Sequence, residues 1–177
     1  MSLRTFACVL MVSLVSATAF AHPPKKAGEA PCVPEAPAKA SLFDKLKPLA
    51  GTWLGTDGKV KVESRLTSAG SVLLETMMPG TPHEMVNAYH LDGDAVVVTH
   101  YCAMGNQPRM AASAEKAPGV VVFTLRDATN VDVKTGEYMG QLTLTIRDAD
   151  HVVQEWQSFK AGKAEGEITR IELARKK

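Results

Sequence analysis

Apolar and polar residues alternate with three different periods along this chain, and each period predicts a different kind of element. Phe6 to Val15 is an almost unbroken apolar run with no polar face. His22 to Lys39 keeps no period at all; Pro23, Pro24, Pro31, Pro34 and Pro37 recur among alanines and lysines. Leu42, Phe43, Leu46 and Leu49 then return at helical spacing. Ser41 followed by Asp44 resembles a capping box, so one short amphipathic helix is predicted, ending near Pro48.

From Ala50 onward the period is two. The alternation predicts strands near 51–56, 59–68, 71–78, 84–91, 94–103, 108–115, 119–125, 138–147, 150–159 and 166–174. Ala69-Gly70, Asp92-Gly93, Ala149-Asp150 and the Gly162 region read as tight turns, and Asp127 to Glu137 as a longer loop. No helical pattern follows residue 50, and no strand–helix–strand alternation is present. The predicted fold is all-β: an up-and-down antiparallel β-barrel of about ten strands with one short N-terminal helix. Closure into a barrel removes exposed strand edges; an open sandwich is the alternative.

The N-terminus reads as an export signal. Arg4 supplies a positive start, the apolar run follows, and Ala19-Phe20-Ala21 offers small residues for signal peptidase. The run is too short for a membrane span, which needs about 20 residues, and no later segment is apolar enough for one. Cys8 and Cys32 are both misplaced for a lipoprotein anchor. The expected organisation is a signal peptide over 1–21, a proline- and alanine-rich disordered linker over 22–40, and a barrel domain over 41–177. Cleavage near Ala21 would deliver the protein to the periplasm or the medium.

Charge narrows the partners. Losing Arg4 with the leader leaves nineteen basic and nineteen acidic residues. A neutral chain without a basic block argues against nucleic acid and against anionic membrane surfaces. Two cysteines remain after cleavage, Cys32 and Cys102, and an exported compartment permits a bridge. Spacing alone does not pair them, and an exposed thiol with a buried one is the plainer reading.

The first predicted strand reads Gly51-Thr52-Trp53-Leu54-Gly55. A short helix followed by Gly-x-Trp resembles the opening of the calycin barrels: lipocalins, fatty-acid-binding proteins and nitrobindin-like haem barrels. Gly51 would let the strand bend, and Trp53 would plug the closed end against the helix. The block from Ser41 to Leu173 also resembles a bacterial family of exported, uncharacterised lipocalin-like proteins. That resemblance runs through Pro79-Gly80-Thr81-Pro82-His83-Glu84-Met85, Thr99-His100-Tyr101-Cys102 and Gly105-Asn106-Gln107-Pro108-Arg109-Met110, and implies no activity. The late haem-ligating His of nitrobindin-like barrels would fall on His151, beside the Asp148–Asp150 turn. The Arg-x-Tyr pair of fatty-acid-binding proteins meets Arg170-Ile171-Glu172 here, without the Tyr.

The most distinctive segment is 79–110. With Asp92-Gly93 as a two-residue hairpin turn, Leu91 faces Asp94, Tyr89 meets Val96, Asn87 meets Val98, Met85 meets His100 and His83 meets Cys102. Alternation sets these on one face. Three readings stay open: a transition-metal or haem site on His83, His100 and Cys102; a ligand pocket lined by His83, Met85, Tyr89, His100 and Cys102; or a packed interior. Asn106 and Arg109 lie on the following loop, where the guanidinium suits a carboxylate or phosphate at the barrel mouth, or a surface ion pair. Arg65, Arg126, Arg147 and Arg170 are further mid-strand cations. Met77, Met78 and Met85 suit an adaptable apolar wall, and Trp156 suits core packing.

No nucleophile elbow, phosphate loop or Cys-x-x-Cys motif occurs, so a binding role is favoured over an enzyme. The expected function is an exported barrel that binds a small apolar or amphipathic molecule. The alternatives are a metal- or haem-binding barrel and a filled barrel acting as an envelope interaction module. Oligomeric state is left open.

Overall fold

A computed structural model of the chain describes residues 41–177. The signal peptide and linker of the sequence reading, with Cys8 and Cys32, lie outside the described residues.

The first helix, α1 (Leu42–Leu46), starts as its sequence predicts. Ser41 Oγ accepts from the Asp44 N–H while the Asp44 carboxylate accepts from the Ser41 N–H, closing a capping box. A tighter helical turn over Lys47–Leu49 carries Pro48 near its start and ends the helix. Leu42, Phe43, Leu46 and Leu49 are buried in the barrel core.

Eleven strands follow: β1 (Gly51–Gly55), β2 (Lys61–Thr67), β3 (Val72–Met77), β4 (Met85–Asp92), β5 (Ala95–Tyr101), β6 (Gln107–Ala112), β7 (Glu115–Ala117), β8 (Val120–Thr129), β9 (Glu137–Ile146), β10 (His151–Lys160) and β11 (Lys163–Arg175). Neighbours in sequence pair antiparallel except β6 and β7, and two further antiparallel pairings, β1 with β11 and β6 with β8, close the ring. The result is a closed up-and-down barrel of ten strands, with β7 outside it, and its architecture is compatible with a calycin-like fold. The expected strand at 108–115 ends at Ala112. The chain then bends, and β7 returns along β8 through a Pro118-Gly119 turn with Gly119 at φ +75°. Proline then glycine at the two central positions is the type II pattern, and it makes this small outer hairpin. The expected loop after 126 is shorter than read, because β8 continues to Thr129.

One end of the barrel is shut by a stack around Trp53. Its indole N–H donates to Leu49 O at 2.9 Å, tying β1 to the helix. The Arg175 guanidinium lies 4.1 Å from the centre of the indole ring and donates to Pro48 O, Ala50 O and Ala149 O. A side chain at residue 51 would obstruct this arm, since a Cβ there would stand 2.5 Å from Arg175 Nη1. Gly51 also sits at φ +143°, where side chains are strained. The Gly-x-Trp pair is thus one device: the glycine admits the arginine that caps the tryptophan.

The β4–β5 hairpin corrects the expected register. Asp92 pairs with Ala95, Leu91 with Val96, Tyr89 with Val98 and Asn87 with His100. Met85 therefore does not face His100, nor Asn87 Val98. The turn is Gly93-Asp94, with Gly93 at φ +60° in the first central place, as a type II′ turn requires. Moving the turn by one residue moves the register by two. An even shift preserves the alternation, so the predicted inward face survives with new partners.

Candidate functional site

Inside the barrel a polar chain crosses four strands. Its members are Glu75 on β3, Asn87 on β4, His100 on β5 and Gln154 on β10, all buried. Each stands in phase with apolar inward neighbours: Leu73 and Met77 flank Glu75, and Val152 and Trp156 flank Gln154. Burial of such groups is tolerated only when they pair, and these pair with one another.

The chain has a direction. Trp156 Nε1, which only donates, gives its hydrogen to Gln154 Oε1 at 3.1 Å. That sets the Gln154 amide, whose Nε2 donates to Glu75 Oε2 at 3.0 Å. Asn87 Nδ2 donates to the other carboxyl oxygen at 2.6 Å. Asn87 Oδ1 is left as an acceptor, and it lies 2.7 Å from His100 Nδ1. His100 must therefore carry its hydrogen on Nδ1. Burial also holds its pKa at about 4, well below the ordinary 6.5, so the ring is neutral at neutral pH. The remaining nitrogen, Nε2, is then a bare lone pair. It is buried and has no partner among the protein's atoms.

Burial pushes the Glu75 carboxyl pKa up, against the two amide hydrogen bonds that favour its ionised form. Tyr89, also buried, has its phenol pKa raised by burial and then by the neighbouring Glu75 charge. Its hydroxyl lies near the carboxyl without the geometry of a hydrogen bond. The Tyr89 ring packs edge-on against Phe123, 5.9 Å between centres.

His100 and Trp156 also floor a pocket of about 300 Å³. The two rings are tilted by 40° with centres 4.7 Å apart. Met77, Met78, Met85 and Met139 supply most of the apolar wall, and Asp57, Val60 and Thr169 to Ile171 border the pocket where the β1–β2 turn approaches β11. Met139 reaches it through an irregularity. The β9–β10 register jumps between Gln157 and Ser158, passing over Gly140. Such a bulge reverses which residues face inward. Met139 accordingly packs against the core cluster, while Tyr138 stacks on Phe159 apart from it. Gly140 is needed there, because a Cβ would stand 2.3 Å from the Phe159 ring.

The predicted site residues separate. Met85 and His100 meet in the pocket. Tyr89 is buried in the core outside the residues lining it. His83 is exposed in the turn before β4, its N–H donating to Thr81 Oγ1. Cys102 is half-buried just beyond β5, its N–H bonded to Asn106 O. Asn106 is buried and donates to Glu137 O, which ties the β5–β6 turn to β9. Arg109 points outward and grips Asp127 with two hydrogen bonds of 2.6 and 2.7 Å. The expected His83–His100–Cys102 cluster is not assembled: no group of three His, Cys, Asp or Glu suited to a metal occurs among the described residues. Its premise was the register in which His83 met Cys102, and the Gly93-Asp94 turn removes it.

Glu75, Asn87 and Gln154 are the site residues the sequence reading passed over. Their signal was present: each is a polar residue at an inward position of an otherwise apolar alternation. His151, the residue placed where haem-ligating barrels carry their histidine, is exposed and hydrogen-bonded to Asp148. No protein-family model and no curated protein matches the chain.

Proposed function

We propose that this protein is an exported, lipocalin-like barrel that holds a small, largely apolar molecule in the pocket floored by His100 and Trp156. The observation that carries the reading is the join of two features: a methionine-rich cavity of about 300 Å³ and a single buried imidazole nitrogen left unpaired beside it. Apolar walls with one or two placed polar groups are the usual form of a small-molecule site, and this volume sits at the lower end of the usual range. Flexible thioethers let such a wall adapt to its occupant. Export rests on the Arg4, Phe6–Val15 and Ala19–Ala21 pattern of the sequence.

Purification from the native host followed by native mass spectrometry tests both parts. A chain starting at His22 with an added organic mass supports the proposal. A chain retaining Met1 overturns export. In fluorescence titrations, phenylnaphthylamine should brighten on binding, and Met139→Arg should abolish the gain. No gain with the wild-type protein would overturn the ligand-binding reading.

A second reading is favoured by the same bare nitrogen. A neutral imidazole with its other nitrogen hydrogen-bonded is the usual form of a metal-bound histidine, and methionine thioethers suit soft metals. It predicts a soft metal ion in the purified protein, lost in His100→Gln.

A further inference from the structure

We infer that the pocket selects a neutral molecule bearing a hydroxyl or N–H donor, which it takes up on His100 Nε2, and that it rejects carboxylates. The inference rests on the ligand-binding reading above and names the class of ligand.

The acceptor character of Nε2 is imposed from a distance. Trp156 orients Gln154, Gln154 and Asn87 saturate the two Glu75 oxygens, and the remaining Asn87 oxygen holds the hydrogen on His100 Nδ1. With Glu75 ionised, as its two amide donors favour, no rotation of a single amide reverses this order without setting two donors or two acceptors against each other. The nitrogen left over can only accept. A ligand carboxylate, which also only accepts, finds no hydrogen there.

The one cation bordering the pocket does not change this. Arg170 is already held by Glu155, at 2.5 Å, and by Glu172, at 2.8 Å. Beneath the floor lies Glu75, whose hydrogen-bond partners are amides rather than a cation. An ionised ligand entering here would exchange water for methionine and tryptophan with no opposite charge free to meet it. A hydroxyl or N–H on an apolar frame would instead pair a nitrogen that is now buried and unpaired. That pairing requires the methionine wall and the Trp156 ring to give way slightly, since Nε2 is closed off as the pocket stands.

The test uses three ligands of one shape with the wild-type mature protein: naphthol, methoxynaphthalene and naphthoate, compared by calorimetry at neutral pH. Naphthol should bind about tenfold or more tighter than either of the others, the worth of satisfying one buried acceptor. Its binding should shift the His100 Nε2 nitrogen resonance, and methoxynaphthalene should not. In His100→Phe the two neutral ligands should become equal while apolar binding persists. Equal affinities for naphthol and methoxynaphthalene in the wild type would overturn the inference and leave the apolar pocket standing. Tightest binding of naphthoate would overturn it as well. Failure of all three to bind would sink the pocket reading and the inference together.

Discussion

His100 Nδ1 lies 2.7 Å from Asn87 Oδ1, across the β4–β5 ladder where the two residues are direct partners. The contact joins a buried imidazole to an amide whose other end is committed to Glu75. Removing the amide therefore strips two groups at once. Asn87→Leu should cost about 2–5 kcal/mol, since it leaves both a Glu75 oxygen and the His100 N–H short of a partner. Urea denaturation measures it; a loss below about 1 kcal/mol would mean the chain of hydrogen bonds adds little.

The same histidine should make stability depend on pH. Its pKa is about 4 in the fold and about 6.5 when exposed. Between those values the unfolded chain binds the proton and the folded one does not. Stability is thus fully present above about pH 6.5 and falls by up to about 3 kcal/mol as pH drops towards 4. Glu75 acts in the opposite sense, because its raised pKa favours the fold below the ordinary carboxylate range and loses that contribution as pH rises through the folded value. His100→Gln should flatten the acid limb selectively. An unchanged slope between pH 6.5 and 4 in that variant would assign the slope to other groups.

Closure of the barrel end should hinge on a glycine. Gly51→Ala would add a Cβ that stands 2.5 Å from Arg175 Nη1, at a backbone angle that side chains avoid. A loss of about 2–3 kcal/mol is expected, from strain and from the displaced guanidinium. Thermal unfolding, with near-ultraviolet dichroism reporting on the indole, would show it. Full stability with an unperturbed tryptophan signal would deny the coupling.

Arg109 gives the contrasting case. Its ion pair with Asp127 is half exposed on the outer surface. Arg109→Ala should cost less than about 1 kcal/mol. Probe binding should stay unchanged, because Arg109 is not among the residues lining the methionine pocket. A lost isotherm would move the ligand site to the outer groove that Arg109 shares with His90, Asp92 and Arg126.

Gly140→Ala tests the bulge. A Cβ would run into the Phe159 ring, so β9 should straighten or the ring should leave Tyr138. Either change turns Met139 away from the pocket. Weaker phenylnaphthylamine binding is expected, with a modest loss of stability; unaltered binding would show that the wall does not need Met139.

The period-two alternation determined the all-β class, the run of strands and the inward phase of β4 and β5. These are local properties: pleat geometry sets side-chain direction, and Gly, Pro and Asp mark where strands stop. The capping box and the Gly-x-Trp opening were likewise legible, because each is built from neighbours in the chain. What tertiary structure alone decided is which inward residues meet. Gly93 occupying the first central place of its turn, rather than the second, replaced His100 opposite Met85 with His100 opposite Asn87. Glu75 and Gln154, 79 residues apart, find each other only because the ring closes. Met139 faces the pocket only because a bulge interrupts β9. Hydrophobic patterning reports whether a side chain is buried. Its partner depends on register and closure, which are set by the packing of the whole barrel.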